Sequence, residues 1–363
     1  MELKRYNLVH NMNNYFVMSL IAAFVSGATS GATAGLTAGC KCANVAGFCG
    51  FNIGEINKCN AKINSFEAKT LYNKYNMCGG FVGINGKTGA IKDCSATGNE
   101  ICNKIYTGGN LGGFVGENSG KIENGTTRVS VANGKYTGGF CGNNTGEISK
   151  SNSEGSAKAS TKVNTNRCGG FIGENSGTVK DSSSTGSATG EEYVGGFAGV
   201  NKSDIIDCNA HGKATAKTKT HTALAGGFVG ENEKGKITNC TATGGADSKS
   251  SSGQAKAGGF VGINKASIMS SKASGNVYLS AGTCYKDDGC GGFVGKNDQD
   301  GSIEGCYAEC IVETTNKKKG GGFVGEAKNK SIIRNSQCKT KIVTKSGAKV
   351  NTKFCENKDK KAV

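Results

Sequence analysis

The chain has 363 residues, with 59 glycines, 17 cysteines and neither proline nor tryptophan. Glycine at about twice its usual ~7% share, with no proline where ~5% is usual, speaks against flexible linkers and disordered tracts. It favours tightly wound β structure, which uses glycine at corners and has no place for proline inside a ladder. The sparse aromatic content argues against a large irregular core or a sugar-stacking cleft. The net charge of +16 suits an anionic partner, but lysines scattered through the chain read first as a solubility device.

In chain order, residues 1–39 differ from the rest. Lys4 and Arg5 precede the apolar run Phe16 to Val25, and small residues continue to an Ala-x-Ala exit at Ala32 to Ala34. This pattern is that of a secretory signal, and the run is too short to span a bilayer. The alternative is an amphipathic cap over the open end of a solenoid beginning near residue 40.

From residue 40 to about 345 one unit recurs ten times. Aligned on phenylalanine, the copies place Phe48, Phe81, Phe114, Phe140, Phe171, Phe197, Phe228, Phe260, Phe293 and Phe323 in register, 26 to 33 residues apart. Nine copies read Gly-Gly-Phe-x-Gly, and the first has Ala46 in place of the leading glycine. A fixed head with a tail of variable length predicts a solenoid whose loops vary and whose terminal repeat is atypical.

Within a unit, the head reads as a short strand with Phe, Gly and Asn on one face. Asn85, Asn118, Asn144, Asn175, Asn201, Asn232, Asn264 and Asn297 close the next turn, and Ala327 replaces them in the last copy. Stacked coils would set the phenylalanines in a column and the asparagines in a hydrogen-bonded ladder. A second strand begins at isoleucine, as in Ile91, with a bend before Cys94; a third, clearest at Arg128 to Gly134, leads back to the next head. The residue after phenylalanine is apolar in every copy. Buried, it is core; exposed, it would form a lateral contact stripe, with Val229 and Val261 as the deciding positions. The predicted fold is all-β: a parallel β-solenoid, right-handed by the rule for parallel crossovers, of about ten coils. The Lys-rich segment 346–363 reads as a solvated tail.

Cys59, Cys94, Cys208, Cys240 and Cys306 share an Ile-x-x-Cys slot that other copies fill with Ser151, Ser182, Ser271 or Gly125. The interchange asks for a small residue and favours packed thiols. Coil spacing also permits cross-coil disulfides among these and Cys338. Cys40, Cys42, Cys49 and Cys59 are the best metal-binding candidates, but no Cys-x-x-Cys pair or neighbouring histidine supports them. No cofactor or metal is expected.

Catalytic signals are weak. The three histidines, His10, His211 and His221, form no zinc-protease motif, and the Gly-rich heads do not open helices. Glu117, Glu174 and Glu231 recur in coils separated by others, and Asp287 and Asp288 lie together; a solvated edge is the simpler reading of all five.

The units Gly112 to Gly125, "GGFVGENSGKIENG", and Gly169 to Gly190, "GGFIGENSGTVKDSSSTGSATG", resemble the GLUG repeat of bacterial surface proteins, adhesins and the non-catalytic region of immunoglobulin A-cleaving metallopeptidases. The resemblance spans about residues 46–340. Phenylalanine where leucine is more usual, and the many cysteines, depart from the common pattern. It implies a β-solenoid displayed outside the cell and no protease activity, since the protease motif is missing.

The expected function is therefore a non-enzymatic, secreted or cell-surface structural or adhesive solenoid. Its expected partners are other copies of itself, an anionic glycan or a cell-surface protein, with no specific nucleic acid and no integral membrane span in the mature chain. A self-assembling extracellular filament subunit is the first alternative, and a glycan-active β-helix enzyme the second.

Overall fold

The computed structural model describes residues 39–354 apart from 41–43, 64–65, 69–75, 104–108, 160–164, 283–287, 299, 316–319, 329 and 345–350. Most of the signal-like segment, together with Cys42, Asp287 and most of the Lys-rich tail, lies outside these. Among the described residues there are strands and turns and no helix.

The strands form a parallel β-solenoid. One coil runs through Asn76–Gly79, Val82–Asn85, Ala90–Lys92, Ser95–Gly98 and Ile101–Asn103, and each strand pairs in parallel with its equivalents in the next coil. Three of the resulting ladders are ten-stranded sheets; the other two are joined by the long strand Gln337–Thr344, which continues both. Five strands per coil replace the three expected from sequence. The head is two strands because Gly80 and Phe81 make a bend between them, and the rest of the coil is broken by a second bend after isoleucine.

Glycines shape the first bend and the packing of the next head against it. A Cβ on Gly79 would lie 1.9 Å from the Val82 carbonyl oxygen, and one on Gly80 would lie 2.1 Å from the Gly113 carbonyl oxygen in the next coil. At Gly116 it would lie 2.7 Å from the backbone nitrogen of Cys78. All three obstacles are backbone, which cannot rotate away, so the two head strands pack with no side chain at these points. The second bend uses a left-handed residue. Lys58, Asp93, Asn124, Lys150, Asp181, Asp207, Asn239, Ser270, Gly305 and Asn335 all have φ between 48° and 63°. Asp and Asn, which tolerate this conformation best after glycine, fill most of these positions.

Inside, the ten phenylalanines stack with ring centroids 4.7–4.9 Å apart and interplanar angles of at most 13°. That spacing is the strand separation itself, so ring stacking and backbone pairing reinforce each other. Phe81 through Phe293 are fully buried, whereas Phe48, at the N-terminal end of the column, is 37% exposed. The residue after phenylalanine is also core: Val229 and Val261 are fully buried, which excludes the lateral stripe. A column from Ile56 to Ile333 completes the interior.

The two ends differ. At the C-terminal end Asn351–Phe354 pairs antiparallel with Gln337–Thr344, so part of the segment expected as a tail belongs to the fold and covers a sheet edge. At the N-terminal end Phe48, Phe51 and Ile53 are exposed.

Candidate functional site

The asparagines form the expected ladder, and it is one member longer. Asn52 donates to Asn85, and the chain of amides continues through Asn118, Asn144, Asn175, Asn201, Asn232 and Asn264 to Asn297, at 2.8–3.0 Å. Between neighbouring coils every Nδ2 donates toward the C-terminal end, so the amide dipoles align and each bond polarises the next. Asn297 ends the row on the Gly301 carbonyl. Asn52 was legible in the sequence as the fourth residue after Phe48, but the atypical first head obscured it.

The cysteine slot has a more specific chemistry than small size. In Ser151, Ser182 and Ser271 the hydroxyl donates to the carbonyl two residues earlier. The thiols of Cys59, Cys94, Cys208, Cys240 and Cys306 do the same. Most of these side chains also accept from the amide of the slot residue in the preceding coil, as from Cys59 to Cys94, Ser151 to Ser182 and Cys240 to Ser271. The left-handed residue just before the slot interrupts the strand, and this short X–H group accepts and donates where the break leaves backbone groups over. Serine and cysteine therefore interchange. The five slot cysteines are free thiols. Burial pushes the Cys94 thiol up to about 11 and that of Cys306 to about 12, so both are protonated and poor nucleophiles at neutral pH. Cys338 lies elsewhere: it pairs in register with Ala308, and Ser336 holds the slot, accepting from the Cys306 amide.

Of the metal candidates, Cys49 and Cys59 spend their thiols on the carbonyls of Phe51 and Asn57. Among the described residues no group of three or more metal-ligating side chains converges.

The recurring glutamates are not a solvated edge. Glu117, Glu174 and Glu231 fall in one register column of the second head sheet, separated by Asn143 and Val200. Glu174 and Glu231 are buried. Asn110 donates to Glu117 at 3.0 Å. Arg167 and Lys202 both pair with Glu174, and Lys265 pairs with Glu231. Burial works against the Lys265 ammonium, yet its hydrogen bond to Glu231 holds its pKa above the ordinary lysine value. Facing them along the first head sheet, Tyr136, Arg167, Tyr193, Leu224 and Lys256 stand in consecutive coils. The Arg167 guanidinium and the Lys135 ammonium lie 5.0 and 5.4 Å from the Tyr136 ring centre, within cation–π range. Glu174 and Glu231 are thus neutralised by cations and Glu117 is held by an amide, an arrangement that holds a surface together. Asp288 is likewise buried and accepts from the Ala255 amide.

With this geometry in view, the comparisons with known proteins are narrow. The GLUG motif matches at residues 76–101, 221–247 and 290–309. Three coils of the chain thus carry the GLUG motif. Each matched segment begins in or just ahead of a first head strand and runs past a slot cysteine, Cys94, Cys240 or Cys306, and the strand after it. No curated protein matches the chain, and no solved structure matches it. Among the described residues no helix is long and apolar enough to cross a membrane.

Proposed function

We propose that this GLUG-repeat chain is a non-enzymatic, secreted or surface-displayed solenoid with a structural or adhesive role, presenting its outer face to surface ligands. The observation that carries this reading is where the repeated residues go. Phe, Asn, Ile and the Cys or Ser slot are each directed inward and engaged by their own copies, while partly exposed positions, such as Tyr136, Arg167 and Tyr193 in one column, change from coil to coil. Residues kept for the fold leave the variable exterior to recognise partners, and a rigid rod of ten coils displays many such positions at fixed spacing. The cation excess favours anionic glycans or acidic patches on cell-surface proteins as the broad partners.

The test is fractionation of the producing cells, then binding of the purified chain to whole cells in rising salt. Recovery at the surface or in the medium, with binding weakened by salt, supports the reading. Recovery in the cytosol with Met1 retained and no binding to cells overturns it. A self-assembling filament is the second reading, and against it the antiparallel strand Asn351–Phe354 covers the edge of one ladder at the C-terminal end.

A further inference from the structure

Three successive loops, those leading into the strands Tyr193–Gly195, Ala223–Gly226 and Ala255–Gly258, border an open recess of about 440 Å³. This lies within the ~300–1,000 Å³ range of small-molecule sites. Its lining includes Glu192, Tyr193, Thr220, His221, Thr222 and Gln254, so every side chain named brings a polar group.

The recess is built by specific hydrogen bonds. Asn166 Oδ1 accepts from the Glu191 amide at 3.2 Å, and the Leu224 amide donates to the Glu192 carbonyl at 2.8 Å. The Ala223 amide donates to the Gln254 carbonyl at 2.9 Å, and Ser250 Oγ ties the Gly253 amide to the His221 carbonyl. Lys256 Nζ donates to Gln254 Oε1 at 2.7 Å, which leaves the glutamine its NH₂ to offer inward.

Glu192 is the unexplained residue. It is only 8% exposed and lines the recess, yet among the described residues its carboxylate has no hydrogen-bond or ion-pair partner. Every other buried glutamate described above has a cation or an amide beside it. A carboxylate that meets solvent only through the recess is poorly hydrated, and a bound molecule that supplies donors there replaces that water with directed hydrogen bonds. A carboxylate accepts two parallel donors well, which a vicinal diol provides. The Thr220 and Thr222 hydroxyls, the His221 ring and the Gln254 amide supply mixed donors and acceptors around it. Glu191 beside Glu192 makes this spot acidic in a chain of net charge +16, which repels an anionic ligand. The fit is to a ring rich in hydroxyls and without negative charge.

We propose that this recess is a binding site for a neutral saccharide, read through Glu192 and the surrounding hydroxyl and amide groups and only secondarily through the half-buried Tyr193. The proposal rests on the surface-binding reading above and gives it a ligand class at one location. Recognition by polar groups is consistent with a chain poor in aromatic residues.

The test uses the full chain in titration calorimetry and saturation-transfer NMR against maltose, cellobiose, lactose and chitobiose, with a sulfated heparin disaccharide and spermidine as contrasting probes. At least one neutral disaccharide is expected to bind, with affinity reduced at least tenfold in Glu192→Gln and unchanged in Lys158→Ala on another face. The thermal midpoint of Glu192→Gln should equal or exceed that of the parent. Should that variant fail to fold, Thr222→Val serves in its place with the same expected loss. The proposal is overturned if no neutral disaccharide binds, if Glu192→Gln or its substitute binds as well as the parent, or if only spermidine or the sulfated disaccharide binds in a Glu192-dependent way. Whole-cell binding of the same proteins separates the two readings. Cell binding undiminished in Glu192→Gln, with no disaccharide bound, refutes the recess alone; disaccharide binding without cell binding refutes the surface role alone.

Discussion

At the corner after phenylalanine the inner polar residue is asparagine in nine coils running from Asn52 to Asn297, whereas at the corner after isoleucine it is cysteine in five coils, serine in four and Gly125 in one. Both corners stack polar groups along the same axis, and both join each coil to the next. They differ in what the stacking requires. The asparagine amide must donate to one coil and accept from the other through separate atoms at fixed separation, which no other short side chain except a longer glutamine can do. The second corner requires one atom that accepts from a neighbouring amide and carries a hydrogen for a local carbonyl. Hydroxyl and thiol both satisfy that, so the position drifts between them.

The largest effects should fall at the first corner. Phe171→Ala removes a fully buried ring from the middle of the stack and should cost about 3–5 kcal/mol, while Phe48→Ala, at the exposed end, should cost about 1 kcal/mol. Urea titration read together with hydrogen exchange of the flanking coils measures both, and equal losses would mean that the column does not act as a continuous stack. Asn175→Leu takes the short ladder bond from the Asn144 donor and from the Asn201 acceptor, leaving them only longer bonds to Gly146 and Ser203, and should cost about 1–3 kcal/mol. A loss below 1 kcal/mol in the same titration would show that the ladder is incidental to the fold.

The buried thiols should give a pH effect of intermediate size. Burial raises Cys168 from the ordinary 9.0 to about 12. Between those values the folded chain keeps a proton that the unfolded chain has lost, so stability is intact below pH 9 and falls as pH rises, by about 1.4 kcal/mol per unit for a fully buried thiol. Denaturation midpoints measured from pH 8 to 11 should therefore drop, and Cys168→Ser should drop less steeply; parallel curves would refute the assignment. The smallest effects belong to the second corner. Ser182→Cys should change stability by less than about 0.5 kcal/mol, and Ser182→Ala should lose about 1 kcal/mol, because the Ser151 amide loses its acceptor. If alanine were tolerated as well as cysteine, the slot would be selecting size alone.

Much of the design was legible in the residues. Ten aligned phenylalanines and the trailing asparagines could only be brought together by stacking parallel coils, and the interchange of serine with cysteine already argued for packed thiols. Less legible were Asn52, hidden by an irregular first head, and Ser336, which takes the slot while Cys338 moves to the alanine column two residues on. Glu174 and Glu231 looked like solvated charges because their partners, Arg167, Lys202 and Lys265, sit at no constant spacing from them. The recess around Glu192 left no trace at all, since its residues come from three loops of the variable part of the unit.

The sequence by itself determined the period, the interior columns and the parallel stacking, because each is a local pattern repeated at a fixed place in the unit. Only the tertiary structure decided that a coil has five strands, that the second corner turns through a left-handed residue, and which charges neutralise one another. Those depend on where the backbone of one coil meets that of the next. A backbone oxygen about 2 Å from a missing Cβ, or a carboxylate set in a recess between three loops, is a property of coils in contact and not of any one repeat.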